Sequence, residues 1–283
     1  MAVSKSILSR RAFLRLLGGA ALVPPVSWLY VAEVELRWLR VERVSVFLPR
    51  LPRAFHGLTI AQISDLHVGP YIGAEEVRAA VEAVMRLNAD VVVITGDFVS
   101  SLSHGEAKII ETELTPLSAP LGVYGIMGNH DWWNDRKVVR RAVEGAGLAM
   151  LQNERVPLTR AGETLYLAGV DDYWQGKADL SKTLNGLTAD APVVLLAHEP
   201  DYADLVAHDP RVLLQLSDHS HGGQVRLPII GPLELPRYAH RYPLGLQKAG
   251  DLWVYTNRGI GVTGLPVRFN CRPEVTVLTL ATS

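Results

Sequence analysis

The chain has 283 residues, of which 48% are hydrophobic and 20% charged, an ordinary globular balance that allows one large domain or two small ones. Its net charge of −1 hides an asymmetry: residues 1–53 hold nine Lys/Arg against Glu33, Glu35 and Glu42, which is +6 and leaves −7 for the remainder, so the body lacks the clustered basic surface that nucleic-acid binding needs. Cys271 is the sole cysteine, which excludes an intrachain disulfide and a Cys-based zinc site.

In chain order, Ser9-Arg10-Arg11-Ala12-Phe13-Leu14 comes first and precedes an apolar stretch from Leu16 to Ala32, broken by Pro24 and Pro25. Two adjacent arginines ahead of a moderately hydrophobic run resemble the bacterial twin-arginine translocation signal. No small-x-small cleavage site follows the run, so retention as an uncleaved membrane anchor stays open beside export. Residues 1–32 are therefore read as signal or anchor. The expected partner during export is the twin-arginine translocase, and the expected location is periplasmic or on the outer face of the cytoplasmic membrane. Residues 33–52 read as a connector holding one strand, Val41 to Phe47, ended by Pro49 and Pro52, and residues 53–283 as the main domain.

Within that domain, β-rich runs fall at Leu58 to Ser64, Val91 to Thr95, Val123 to Met127, Leu165 to Val170, Val193 to Ala197, Val212 to Leu216, Leu252 to Tyr255 and Val275 to Leu280. Helical periodicity lies between several of them, at Ala74 to Leu87, with Glu75 and Glu76 in its first turn, and at Lys137 to Ala146. Strands alternating with helices predict a layered α/β domain.

Five of the runs are followed by polar, ligand-type side chains: Asp65 and His67, then Asp97, then Asn129 and His130, then His198, then His219 and His221. Ligand sites in open α/β sheets are built at the carboxyl ends of the strands, so these five sets are expected to converge on one edge. Two divalent ions a few ångströms apart need a shared oxygen ligand, and a carboxylate bridges where an imidazole rarely does, which makes Asp97 the candidate bridge. Mixed imidazole and oxygen donors suit Mn, Fe, Zn or Co and disfavour Ca or Mg.

The blocks Asp65-x-His67, Gly96-Asp97, Gly128-Asn129-His130-Asp131, His198 and His219-x-His221, in that order, resemble the signature of calcineurin-like metallophosphoesterases. The likeness spans about Leu58 to Leu280, and its last part, from Asn257-Arg258-Gly259 to Gly264-Leu265-Pro266, is similar to the exported or membrane-associated bacterial branch. It implies a four-layer α/β/β/α sandwich with the site at the strand ends. It further implies that Asp65, His67 and His221 complete one metal site with Asp97, while Asn129, His198 and His219 complete the other. The expected reaction is hydrolysis of a phosphomonoester or phosphodiester, on a small-molecule or lipid-linked substrate, by a hydroxide activated between two metal ions. His130 is the expected general acid toward the leaving oxygen, and Asp131 either orients its ring or stabilises the turn. Arg258 either holds a phosphate oxygen or forms a structural ion pair. A membrane-attached pyrophosphatase of the UDP-2,3-diacylglucosamine type, or a metal-binding protein without turnover, are the alternatives.

One departure stands out. The family's Gly-His-Thr-His-Gly-Gly block is here Asp218-His219-Ser220-His221-Gly222-Gly223. A glycine there suggests a backbone with positive φ or a close approach, and an added carboxylate beside the metals would attract cations and repel an anionic substrate.

Overall fold

The computed structural model describes residues 24–103 and 105–282; Ser9 to Leu14, with the paired arginines, lie outside the described residues. Chain segments 24–37 are helical. The strands and main helices then follow as β1 (Arg40–Phe47), β2 (Thr59–Ile63), α1 (Ala74–Leu87), β3 (Val91–Ile94), α2 (Glu106–Leu114), β4 (Val123–Gly125), α3 (Asn129–Trp133), α4 (Arg136–Gly145), β5 (Ala149–Met150), β6 (Glu154–Arg160) and β7 (Glu163–Gly169). The second half holds α5 (Leu180–Thr183), β8 (Val193–Leu196), α6 (Ala203–Val206), β9 (Val212–Ser217), β10 (Arg226–Leu227), β11 (Gly231–Pro232), β12 (Gly245–Ala249), β13 (Leu252–Thr256) and β14 (Glu274–Ala281).

These strands form two large sheets, in the orders β1-β14-β2-β3-β4-β5 and β12-β13-β9-β8-β7-β6, and a small β10-β11 hairpin. The central strands are parallel, and fully buried runs such as Val91–Ile94 and Val193–Leu196 suit them because helices or a second sheet cover both faces. Alternation along each strand divides the core. Val91 and Val93 face the other sheet, with Ile60, Leu167, Leu196 and Leu216, whereas Val92 and Ile94 face α1, α2 and α4 with Val77, Ile110 and Val139. On the outer side of the second sheet, Leu184, Ala203 and Val206 close a third cluster. The layers are thus helix, sheet, sheet, helix, the second helical layer being thin because α5 and α6 have four residues each.

Helix α1 shows the local rules at work. Val77, Ala80, Val81 and Val84 recur on one face and are buried, Glu76 accepts from the Gly73 N–H at 2.9 Å, and Asn88 ends the helix at φ 49°. The segment read as a connector holding one strand does hold it, as β1, but it is also part of the domain. β1 pairs in parallel with β14 from Arg40↔Glu274 to Phe47↔Ala281, so the first sheet begins before residue 53, and Val46, Leu48 and Leu51 are buried in the inter-sheet core.

Candidate metal centre

The ligand-type residues meet where the strands of both sheets end. Asp65 and His67 follow β2, Asp97 follows β3, Asn129 and His130 open α3 beyond β4, His198 follows β8, and His219 and His221 follow β9. Neither sheet alone holds the set; packing the two mixed sheets so that the carboxyl ends of their parallel central strands meet makes it.

Distances define two adjoining groups. In one, His221 Nε2 lies 3.1 Å and His67 Nε2 3.6 Å from Asp65 Oδ1, and the two ring nitrogens lie 3.1 Å apart. In the other, His198 Nε2 lies 3.2 Å from Asn129 Oδ1, and His219 closes the group. Asp97 Oδ2 stands between them, 3.4 Å from His67 Nε2 and 3.3 Å from His198 Nε2. Converging lone pairs with no proton donor for each, and a buried Asp65 Oδ1 without a hydrogen-bond partner, are what a cation cage requires. The donors therefore fit two divalent ions, with Asp97 positioned to be shared.

Second contacts aim the imidazoles. His198 Nδ1 meets the Thr95 carbonyl at 2.8 Å, His67 Nδ1 meets Ser100 Oγ at 3.2 Å, and His219 Nε2 meets the Arg237 carbonyl at 2.9 Å, which leaves Nε2, Nε2 and Nδ1 respectively for a metal. Burial pushes the pKa of His67, His219 and His221 down, so these rings are neutral donors. Burial alone would raise the Asp65 and Asp97 carboxyls, but His221 and His198 outweigh it and hold both below the usual carboxylate range. His198 behaves oppositely: burial acts to lower it, yet the Asp97 carboxylate holds it well above its ordinary value. A cation held by this pair would have to displace that proton.

The backbone is bent to bring these side chains in. Asp65 (φ 48°), His67 (φ 48°), Asp97 (φ 53°), His219 (φ 65°) and His221 (φ 50°) all occupy the left-handed region. Each such residue costs on the order of 1–3 kcal/mol and persists only where its surroundings impose it. Glycines permit close approaches among these loops. A Cβ on Gly96, at φ 107°, would fall 2.7 Å from His198 Nδ1, and one on Gly128 would fall 2.3 Å from Asp97 Oδ1.

A cavity of about 520 Å³ opens over the centre, lined by Asp97, Asn129, His130, His219 and His221 on its floor. His130 is only partly buried, its ring 4.6 Å from the rings of both His67 and Trp133, and its backbone N–H donates to Asp97 Oδ1 at 2.8 Å. Asp131 takes no part in orienting that ring. Its Oδ1 accepts from the N–H groups of Phe98 (2.9 Å) and Val99 (3.3 Å), and its Oδ2 from that of Gly128 (3.0 Å), so it ties the loop after β3 to the loop after β4. Burial and the charge of Asp97 push its pKa up to about 8 against the pull of those donors.

Arg258 likewise lies elsewhere. Its guanidinium pairs with Glu274 and, at 2.5 Å, with Glu42, beneath the site and away from the cavity lining. The open choice at Arg258 therefore resolves to a structural ion pair. Asp218 does not line the cavity either, and its backbone lacks the positive φ that a glycine would suggest; the bend falls at His219 and His221 instead. Both its oxygens are buried without hydrogen-bond partners, against Asp65 and Gly259, and burial together with Asp65 raises its pKa well above normal. It thus touches the metal centre from behind. Trp132 packs, donating to Asp171 at 3.1 Å, whereas Trp133 walls the cavity with Trp174, 5.3 Å ring to ring. Trp174 is absent from the ligand blocks, but it follows the β7 strand end and was open to the same strand-end reasoning.

Comparison with known proteins identifies the family. Residues 58–230 match the calcineurin-like phosphoesterase family. Over 282 residues the chain is 35% identical to the uncharacterized metallophosphoesterase YkuE of Bacillus subtilis, covering 96% of this chain and 98% of that protein. It is 29% identical to the phosphodiesterase YaeI of Escherichia coli, covering 97% of this chain and 100% of that one. Among solved structures, a dimetal phosphatase from Danio rerio superposes with a TM-score of 0.47 at 12% identity, over 75% of this chain and 90% of that one. The chain belongs to the calcineurin-like phosphoesterase family, hydrolases that act on phosphoester bonds.

Proposed function

We propose that the chain hydrolyses phosphodiesters in preference to phosphomonoesters. The observation that carries this reading is the cavity wall. Beyond the metal groups its wall includes Trp133, Trp174, Val225, Leu233, Pro236 and Leu265 beside the polar Gln224, Glu234 and Thr263, and among the described residues no Lys or Arg lines it. A monoester brings a dianion and would gain from a basic side chain at the phosphate; a diester brings one charge and a second substituent that apolar walls can hold. The name of the similar protein from Escherichia coli, a phosphodiesterase, points the same way.

Asp65, His67, His221 and Asp97 would hold one divalent transition-metal ion, and Asp97, Asn129, His198 and His219 a second. Bound there, such ions supply a water of lowered pKa and neutralise charge on the phosphoryl oxygens. The protein's own contribution is positional. His130, at the cavity floor beside Trp133, is placed to hand a proton to the leaving oxygen, and the two tryptophans exclude water from the far side.

The metal-stripped chain reloaded with Mn should hydrolyse bis-p-nitrophenyl phosphate at least ~10-fold more efficiently than p-nitrophenyl phosphate, compared as kcat/KM. A ratio in favour of the monoester would overturn the diester reading, and bound metal without turnover on either would leave a metal-binding protein.

The arginine pair supports export by the twin-arginine route, to the outer side of the cytoplasmic membrane, where a metalloenzyme gains from having folded and taken up its ion inside the cell. Changing Arg10→Lys together with Arg11→Lys should strand the chain in the cytoplasmic fraction; unchanged export of the double variant would contradict this route. No helix among the described residues is long and apolar enough to cross a membrane.

A further inference from the structure

Large apolar side chains ring the mouth of the cavity and face solvent. Leu233 and Leu265 line the cavity and are nonetheless exposed, and Trp133 is half open beside them. At the tip of the β10-β11 hairpin, Ile229 is fully exposed and Ile230 71% exposed. Ile229 also holds φ 71°, a conformation that a β-branched residue adopts only under constraint. Water and backbone geometry both argue against isoleucine at that position, so its side chain has some other environment to satisfy.

The hairpin is not isolated. The Arg226 N–H donates to the Phe269 carbonyl and the Phe269 N–H to the Gln224 carbonyl, each at 2.9 Å, which lays the hairpin beside the segment that carries Leu265. The Arg268 N–H in turn donates to the Val31 carbonyl at 3.0 Å, which lays that segment beside the N-terminal helix. On this helix Val26, Trp28, Leu29, Tyr30 and Val34 are exposed, and Trp38 follows, with the Arg272 guanidinium stacked 3.9 Å over its ring. Hairpin tip, cavity rim and helix, linked by these backbone hydrogen bonds, each add exposed apolar side chains to one face. The described chain enters on that face, out of a sequence that is apolar from Leu16 and preceded by Arg10, Arg11 and Arg15. Apolar bodies with Trp, Tyr and Arg at their margins match the depth profile of a bilayer interface.

We propose that the cavity mouth is a bilayer-docking surface, in which Ile229, Ile230, Leu233 and Leu265 enter the acyl boundary and the metal centre meets amphiphilic phosphodiesters at headgroup depth. The substrate clause rests on the diesterase reading; the docking clause does not. A soluble diester reaches the centre without this surface, so the surface matters only for substrates held in a membrane.

The test uses the full chain with Ile230→Cys carrying an environment-sensitive fluorophore, because Cys271 is buried and its thiol raised by that burial, leaving the introduced thiol as the reactive one. On phosphatidylcholine vesicles with phosphatidylglycerol, emission should shift to the blue and be quenched by spin-labelled acyl chains. The same label at Arg160→Cys, on the exposed β6 end opposite the strand carboxyl edge, should do neither. A solvent-like, unquenched label at position 230 on vesicle-bound chain would overturn the proposal. So would a blue shift that develops without vesicles as protein concentration rises, which would mean a second copy covers the face. Independently, the Ile229→Asp, Ile230→Asp double variant should lose ~10-fold on p-nitrophenyl hexadecyl phosphate in vesicles while keeping its rate on bis-p-nitrophenyl phosphate within about twofold. Equal loss on both diesters, or on neither, counts against docking. Should the unaltered chain hydrolyse neither diester, the diesterase reading fails while the fluorophore still decides the surface.

Discussion

Asp97→Asn should strip the chain of most of its bound metal and lower kcat/KM at least ~100-fold, close to 3 kcal/mol of lost transition-state stabilisation. The reasoning is geometric. One oxygen, Oδ2, stands 3.4 Å from His67 Nε2 and 3.3 Å from His198 Nε2, so it is the single atom common to both donor groups. Asparagine has the same shape but cannot offer two anionic oxygens: one position becomes an NH2 donor. If the amide nitrogen replaces Oδ2, it points a proton at the cations; if it replaces Oδ1, it confronts the His130 N–H that now donates to that oxygen at 2.8 Å. Either orientation leaves two donors face to face or a cation without its shared anion. Elemental analysis of metal per chain, read beside turnover of bis-p-nitrophenyl phosphate, checks this. Full metal content and an unchanged rate in the variant would remove Asp97 from the bridging position.

Much of this site was legible in the sequence because its donors sit behind short apolar runs whose length and β-branched or leucine composition favour buried strands. Val91–Ile94 and Val193–Leu196 are continuous β-branched or leucine runs followed by Asp97 and His198, and the rule that ligands gather at carboxyl ends of parallel strands did the rest. What was not legible has physical causes. β6, with Glu154, Arg155 and Arg160, is an edge strand with outward polar side chains and Pro157, so it carries little strand signal. The attachment of β1 to β14 joins residues more than two hundred positions apart, and no local pattern encodes that pairing. Asp131 was open to two readings, a partner for the neighbouring imidazole or a brace for the turn, and adjacency in sequence could not choose between them. A short helix start turns the two side chains apart, and the carboxylate instead caps N–H groups of two loops. The left-handed backbone at Asp65, His67, Asp97, His219 and His221 was also invisible, since it runs against the intrinsic preference of those residues and is imposed by packing.

Gly128→Ala should abolish tight metal binding nearly as completely as Asp97→Asn while leaving the fold in place. The glycine has φ −111°, which alanine adopts freely, so no backbone penalty enters. Space is the obstacle: the new Cβ would sit 2.3 Å from Asp97 Oδ1 and 2.8 Å from its Cγ. Asp97 cannot retreat cheaply, because the His130 N–H holds Oδ1 at 2.8 Å and the loop on its other side is fixed by Asp131. Overpacking of this kind costs about 1–3 kcal/mol in stability, within the range a domain of this size survives, but a shift of even half an ångström in the shared oxygen spoils both donor groups together. Gly73→Ala is the matching control, since a Cβ there would meet nothing nearer than Glu76 Oε2 at 3.8 Å. Circular dichroism and metal titration of the two variants separate the outcomes. Both should fold, and the Gly128 variant alone should lose metal affinity and rate; if it retains both, the close approach of the two loops does not set the position of Asp97.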